Sequence, residues 1–508
     1  MAGSFRGAQR PSGGVRWPGA LQRIPNAVRL RVSIPEASPR SGRGADEETL
    51  PAGLEDLPLP EGDMGLPLVG NSLEFFKDKS AFVAGRINKY GPVSKALVFG
   101  KPSVFVGGID LLEKILVKEP DLLVQGPFSN LEKLAGPNSV MSLNGEDHHK
   151  MRMLLGPPFT KKGVHSRVPE IARLAEEQCM EWSQRSSVLF VEEVRRYAFG
   201  VLTEAALGLK YPLAGKWTKD AVLDVFRAWT AGLFSFGIDL PFTKFGKAMQ
   251  CRSMLLEMIN KVTKEVLEDD EHEGGLKSIL LAQDEQGNGL TKEQREDSLL
   301  LLLFAGYDTT ASTLSMAMLL LARNPQVWER MKEEQAAIVA EHGPDMTPEA
   351  VEAMAYTDAV VQETMRVRPA SSGGIRVAAK TFQLNGRRVP KGWTVFPSTA
   401  VTASLFDPRW PQDTEFRPER HLGAQGAEAR PHMAFGIGAH MCLGWYLSLV
   451  EAKVLLATLA RGYEFTVADA HPRITVLPMP QPADGLPIMV KSRSALPARR
   501  RWNAGPEQ

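Results

Sequence analysis

The stretch that most restricts the fold is residues 299–322, an apolar segment long enough to cross a bilayer. Its middle argues against that setting. Asp308, Thr309, Thr310, Ser312, Thr313 and Ser315 all fall there, and one aspartate at a bilayer centre costs about 3 kcal/mol. The same pattern suits a helix wrapped in protein, with a polar patch turned toward something internal. The segment is therefore predicted to be the central helix of a large domain, covered by other helices.

A second stretch, residues 435–444, reads Phe435-Gly436-Ile437-Gly438-Ala439-His440-Met441-Cys442-Leu443-Gly444. It places one of only three cysteines (Cys179, Cys251, Cys442) among glycines. Leu447, Val450, Val454 and Ala457 follow at helical spacing, with Gly462 as the predicted stop. On this reading Cys442 lies at a helix N-terminus, where free N–H groups and the dipole favour a thiolate. Such a thiolate is either a nucleophile or a metal ligand. A cysteine hydrolase would need a partner base, and no residue pattern identifies one.

Composition narrows the rest. The chain has 508 residues, of which 43% are hydrophobic and 23% charged, as in ordinary globular proteins. Length alone suggests about three domains. A net charge of +1 supplies no basic field, so nucleic acid is not an expected partner. Three cysteines in so long a chain rule out a disulfide scaffold.

Residues 1–50 differ in composition from the rest of the chain. Arg6, Arg10, Arg16, Arg23, Arg29 and Arg31 precede the first acidic residue, Glu36, and lysine is absent. That composition reads as a transit peptide or a disordered tail, with an organelle, a plastid ahead of a mitochondrion, as the address. No N-terminal apolar run reaches the roughly 20 residues of a membrane anchor. A single domain is expected over residues 51–492, with a solvated tail at 493–508 that carries Arg499-Arg500-Arg501.

Along that domain, residues 73–90 read as a helix and 93–106 as a hairpin around Gly100-Lys101. Helical periodicity then dominates: 111–117, 148–155, 168–184, 192–207 and 219–233, followed by a loop and a long amphipathic helix in 241–283. Short strands return at 375–382 and 383–395, with Asn385-Gly386 as a turn signal. The fold class is mainly α with a small β portion.

Several motifs, each weak alone, fall in one order. Phe435-x-x-Gly438-x-His440-x-Cys442-x-Gly444 resembles the haem-binding signature of the cytochrome P-450 superfamily, with Glu451 in place on the next helix. Ala305-Gly306-Tyr307-Asp308-Thr309-Thr310 is similar to its oxygen-activation motif, and Glu363-Thr364-Met365-Arg366 to its ExxR motif. Phe416-Arg417-Pro418-Glu419-Arg420 matches the loop that completes this triad, and His148-x-x-x-Arg152 the propionate-binding helix motif. The resemblance covers residues 57–490 and implies one mainly α domain with the cytochrome P-450 fold.

The resemblance also implies roles. Cys442 would be the axial ligand of iron in haem b (iron protoporphyrin IX), its thiolate donating electron density to favour O–O cleavage. Gly438 and Gly444 would leave room for the porphyrin, and Phe435 would shield the sulfur. Ala305 and Gly306 would let the central helix approach the iron, with a local opening of that helix for O2. Asp308 and Thr309 would deliver protons; the competing reading of Thr309 is a hydroxyl bonded back to its own helix. Arg152, Arg376, His148 and His440 would meet the haem propionates. His440 departs from the more usual arginine, and His148 from tryptophan. Glu363, Arg366 and Arg420 would be a structural brace.

The implied activity is a monooxygenase that inserts one atom of O2 into a small hydrophobic substrate. A retinoid, carotenoid, sterol or other terpenoid-like molecule is expected, since residues 57–76 and 145–159 look most like the retinoic-acid and terpenoid or steroid hydroxylase branch. Phe128, Leu131, Leu134, Leu302, Phe304, Ser371, Ser372 and Ile375 are the expected cavity wall. Electrons are expected from a separate donor, a ferredoxin or an NADPH-dependent reductase. Leu233, Phe234, Phe236, Ile238, Leu240 and Phe242 suggest peripheral membrane contact. The alternatives are a hydroperoxide-rearranging haem-thiolate isomerase and a non-catalytic haem sensor, which would not need the Asp308-Thr309 pair.

Overall fold

The computed structural model describes residues 53–67, 69–126, 129–371, 373–407, 413–423, 433–476 and 479–493. The predicted transit segment, most of the tail, Phe128 and Ser372 lie outside the described residues. The chain from Leu50 onward forms one compact unit.

Two helices, α1 (Ser72–Lys77) and α2 (Lys79–Tyr90), replace the single one predicted over 73–90. Asp78 divides them. Its extended backbone ends the first, and its carboxylate caps the second by accepting from the Ala81 N–H at 2.9 Å. Strands β1 (Val93–Val98) and β2 (Lys101–Val106) form the predicted hairpin. Its turn residues Phe99 and Gly100 both take positive φ, 56° and 69°, as a tight hairpin turn requires.

Next come β3 (Leu123–Gln125), α3 (Gly145–Leu155), α4 (Val168–Ser183) and α5 (Phe190–Gly200). A π-helical turn at Val201–Ala206 extends α5, where the sequence periodicity predicts plain helix. Helices α6 (Lys219–Leu233) and α7 (Lys244–Glu268) then lead to α8 (Lys292–Arg323). A capping box between Thr291 and Gln294 starts α8 before the apolar run begins. It is the one described helix long and apolar enough to cross a membrane, yet 83% of its most apolar stretch is buried. Leu300, Leu314 and Leu319 are fully enclosed, each burial contributing about 1.5–3 kcal/mol. Protein, not lipid, covers this helix.

The remaining elements complete the layer around α8: α9 (Pro325–His342), α10 (Ala355–Val367) and α11 (Trp445–Gly462). Between α10 and α11 run β4 (Arg376–Ala378), β5 (Phe382–Leu384), β6 (Arg387–Val389) and β7 (Thr394–Pro397). Strands β1-β2-β7-β4-β3 make one sheet in that order. The largest apolar core is shared by α4, α5, α6, α8 and α11, and the sheet carries a smaller one. The molecule is mainly α with a smaller β portion.

Candidate functional site

Cys442 stands in the turn before α11, which begins at Trp445 with Gly444 as its N-cap. The helix expected from residue 443 thus starts two residues later. The turn itself is held by the Cys442 N–H, which donates to the Phe435 carbonyl at 2.9 Å, and by positive φ at Gly436 (75°) and Gly438 (78°). Phe435 meets the cysteine through this backbone bond, and its half-buried ring packs on the main core. Burial pushes the Cys442 thiol up, against the Gly444 N–H and the Arg152 charge, which pull it down. Helix and backbone dipoles alone therefore do not hold a thiolate here. Cys442 is nonetheless accessible.

The glycines divide by role. A Cβ on Gly444 would meet nothing within 4 Å, so that side of the turn is open. A Cβ on Gly438 would stand 2.0 Å from the Leu116 carbonyl oxygen. Backbone packing and positive φ by themselves demand glycine at 438. A Cβ on Gly306 would sit 3.1 Å from Leu202 Cδ2, so its small size also serves the contact of α8 with the π-helical turn.

Strand pairing and α3 bring a cationic cluster toward Cys442. Gln125 lies opposite Arg376 in the β3–β4 register. Gln125 Nε2 donates to His440 Nδ1 at 2.9 Å, and the His440 ring lies 3.8 Å, centroid to centroid, from that of His148 on α3. Burial, then the neighbouring His148, Arg376 and Arg152, lower His440 to about 3. It is neutral at physiological pH, with Nδ1 accepting and Nε2 keeping its hydrogen. His148 is lowered to about 4, chiefly by burial. Arg152 donates to the Met441 carbonyl at 2.6 Å, and Arg376 to that of Ile375 at 3.1 Å. Neither guanidinium has a carboxylate partner among the described residues. Cations gathered without anions fit a group that brings its own carboxylates, as haem does.

On α8, the expected local opening is absent: the helix is continuous from Lys292 to Arg323. Thr309 Oγ1 donates to the Ala305 carbonyl at 2.6 Å, which is the bonded-back geometry. Asp308 accepts from Arg195 Nε of α5 at 2.9 Å. Burial raises the Asp308 carboxyl, and Arg195 opposes this. Beside Thr309, Thr310 reaches a further acid. Thr310 Oγ1 donates to Glu451 Oε1 of α11 at 2.7 Å, and burial pushes this carboxyl up to about 8. Glu451 is therefore a neutral acid at pH 7.

Glu363, Arg366 and Arg420 meet. Arg366 grips both Glu363 oxygens at 2.8 Å, and Arg420 Nε donates to Oε1 at 3.2 Å. His421 reaches Oε2 at 2.9 Å, and Arg366 also donates to the Asp413 carbonyl at 2.7 Å. Burial pulls Glu363 up, but Arg366 and His421 outweigh it and leave the carboxyl at about 2. Of the expected cavity wall, Leu134, Leu302 and Phe304 are buried in the core, Leu131 and Ile375 are half-buried, and Ser371 is exposed.

Gln125, Arg195, His421 and the acid role of Glu451 escape motif reading, because each depends on partners far away in sequence. Only the placement of Glu451 in the signature hinted at one of them.

Comparison with known proteins agrees with this geometry. A cytochrome P450 family model matches residues 60–484. Cytochrome P450 26B1 of Mus musculus is 31% identical over 450 residues, covering 85% of this chain and 86% of that protein. Cytochrome P450 26B1 of Danio rerio is 30% identical over 447 residues, covering 85% and 86%. A solved structure of a retinoic acid bound cyanobacterial CYP120A1 matches with a TM-score of 0.77 and 30% identity, over 86% of this chain and 100% of that one.

Proposed function

The chain belongs to the cytochrome P450 family, a haem-binding oxidoreductase monooxygenase, and on that premise we propose that it hydroxylates an extended terpenoid of the retinoid kind. The observation that carries the substrate reading is the likeness to a P450 solved with retinoic acid bound. Leu131 and Ile375, half-buried and apolar, support it by offering a surface with few polar contacts.

Haem b held by Cys442 supplies the activation of O2 and the insertion of one oxygen atom into a C–H bond. The protein's part is positional and protonic. Arg152 and Arg376 neutralise the propionates, and His440 and His148 add neutral N–H donors, with Gln125 fixing the His440 tautomer. Thr309 spends its hydrogen on Ala305, so on the distal side it presents lone pairs and accepts a hydrogen bond. The proton must then come from elsewhere. Asp308, held in place by Arg195, is the group that relays it. The Glu363 brace anchors the segment that precedes the Cys442 turn.

Electrons come from a separate donor, a ferredoxin or an NADPH-dependent reductase. The α6–α7 loop exposes Phe234 (54%), Phe236 (89%), Ile238 (55%) and Phe242 (77%), which suits peripheral contact with a membrane from which an apolar substrate enters. Residues 1–50 direct the chain to an organelle, a plastid in the first instance, and fusing them to a fluorescent reporter tests that address.

The substrate test is titration of the ferric holoenzyme with all-trans retinoic acid. Displacement of the distal iron ligand, seen as a Soret shift, with a hydroxylated product under electron supply, is expected. A sterol or fatty acid that binds and turns over while retinoids do neither would overturn the retinoid reading.

A further inference from the structure

Two aromatic residues, Trp445 and Tyr446, open α11 just past the Cys442 turn. Three residues of chain span at most about 11 Å, so the Trp445 backbone lies within that distance of Cys442. The two rings meet edge-on, with centroids 5.3 Å apart. Trp445 is exposed and Tyr446 is half-buried.

Two segments distant in sequence bring a base to the phenol. Lys161–His165 and Pro348–Glu352 are short helices. The Tyr446 hydroxyl donates to Glu352 Oε1 at 2.5 Å. His165 Nε2 lies 2.5 Å from the same phenol oxygen and 3.1 Å from that carboxylate oxygen. Lys161 pairs with the other Glu352 oxygen at 3.2 Å. Burial pulls Glu352 up, but Tyr446, Lys161 and His165 outweigh it and leave the carboxyl at about 2. The phenol is therefore bonded to a charged acceptor, the strong kind of hydrogen bond. A phenol that loses an electron becomes strongly acidic, so a base already in contact eases its oxidation.

We propose that Tyr446 is a one-electron redox site that drains oxidising equivalents from the haem-thiolate centre when no substrate consumes them. One electron leaves the phenol and passes through Trp445 and Cys442 to that centre, which is thereby reduced by one electron. The phenol O–H bond breaks, and its proton moves along the 2.5 Å bond to Glu352, with His165 beside it. An outside reductant, ascorbate or a thiol, returns one electron to the phenoxyl radical, and the proton comes back from Glu352. The oxidising equivalents are those that the monooxygenase activity generates. The inference rests on the haem-thiolate reading and not on the retinoid assignment.

The test mixes substrate-free ferric holoenzyme with peracetic acid, which oxidises the haem centre without an electron donor, and reads freeze-quenched samples by electron paramagnetic resonance. An organic radical that narrows when the protein carries ring-deuterated tyrosine is expected. Tyr446→Phe should lose that tyrosine signal, and Trp445→Leu and Glu352→Gln should each diminish it. Haem bleaching by the peracid should be faster in Tyr446→Phe than in the native chain. The carbon monoxide spectrum of each protein reports the haem-thiolate site independently, so failure here is distinguishable from failure of the family-level function. With that spectrum intact, absence of a tyrosine radical in the native chain would overturn the proposal. So would a radical undiminished in Tyr446→Phe, the result expected if Tyr446 serves only to tie the three helices together.

Discussion

In the proposed function, Thr309 and Asp308 would divide a task that their motif presents as shared. The hydroxyl hydrogen of Thr309 is committed to Ala305, while Asp308 keeps a buried carboxyl beside Arg195. Asp308→Asn should therefore lower product formation about 100-fold while leaving substrate affinity unchanged, measured as product per electron donor consumed beside a Soret titration. The two buried glutamates predict opposite pH behaviour. Glu451 is raised to about 8 from the ordinary 4.5, so the folded state holds this proton more tightly than the unfolded chain. That contribution is full below pH 4.5 and is lost as pH rises through 8. Thermal unfolding at pH 6 and pH 9 should show a smaller drop in Tm for Glu451→Gln than for the native chain. Glu363 is lowered to about 2, so its contribution is present above pH 4.5 and lost as pH falls through 2. Glu363→Ala leaves Arg366 and Arg420 buried without their anion and should cost about 3–5 kcal/mol, measured by denaturant unfolding. An equal drop in Tm for both chains, or a neutral Glu363→Ala, would contradict these assignments.

Among the described elements, the α6–α7 loop turns four large apolar residues outward. Replacing Phe236 and Phe242 with serine removes two of its most exposed rings and should weaken co-sedimentation with liposomes without changing the Soret band. Unchanged partitioning would remove membrane contact from the account. Elements also show where sequence reading succeeds and where it stops. Helix α6 was legible to the residue and the β1–β2 hairpin to its outer bounds, because periodicity and turn chemistry are local, though the turn falls at Phe99-Gly100 and not at Gly100-Lys101. The break at Asp78 was not: one capping carboxylate outweighs the apolar continuity of residues 73–90. The site divides in the same way. Cys442, Glu363, Arg366 and Arg420 announce themselves by spacing. The Gln125–His440 bond joins residues 315 apart, and the protonation of Glu451 depends on burial that only tertiary packing creates. Gly438 and Gly306 were visible as glycines, but the neighbours that require them, Leu116 and Leu202, were not.

For the whole molecule, α8 is tied to α11, the helix after the Cys442 turn, by the Thr310–Glu451 bond, and Arg152 and Arg376 gather by that turn without carboxylate partners among the described residues. A haem with two propionates would match an exposed sulfur and guanidiniums that lack anions. In the proposed function Cys442 ligates haem iron as a thiolate, although burial pushes its thiol up. Metal ligation must then supply the deprotonation. The most direct test is the carbon monoxide difference spectrum of the reduced, haem-loaded protein beside that of Cys442→Ser. The account predicts a strongly red-shifted Soret band for the native chain and its loss in the variant. A native spectrum without that band, or one that Cys442→Ser leaves unchanged, would contradict it.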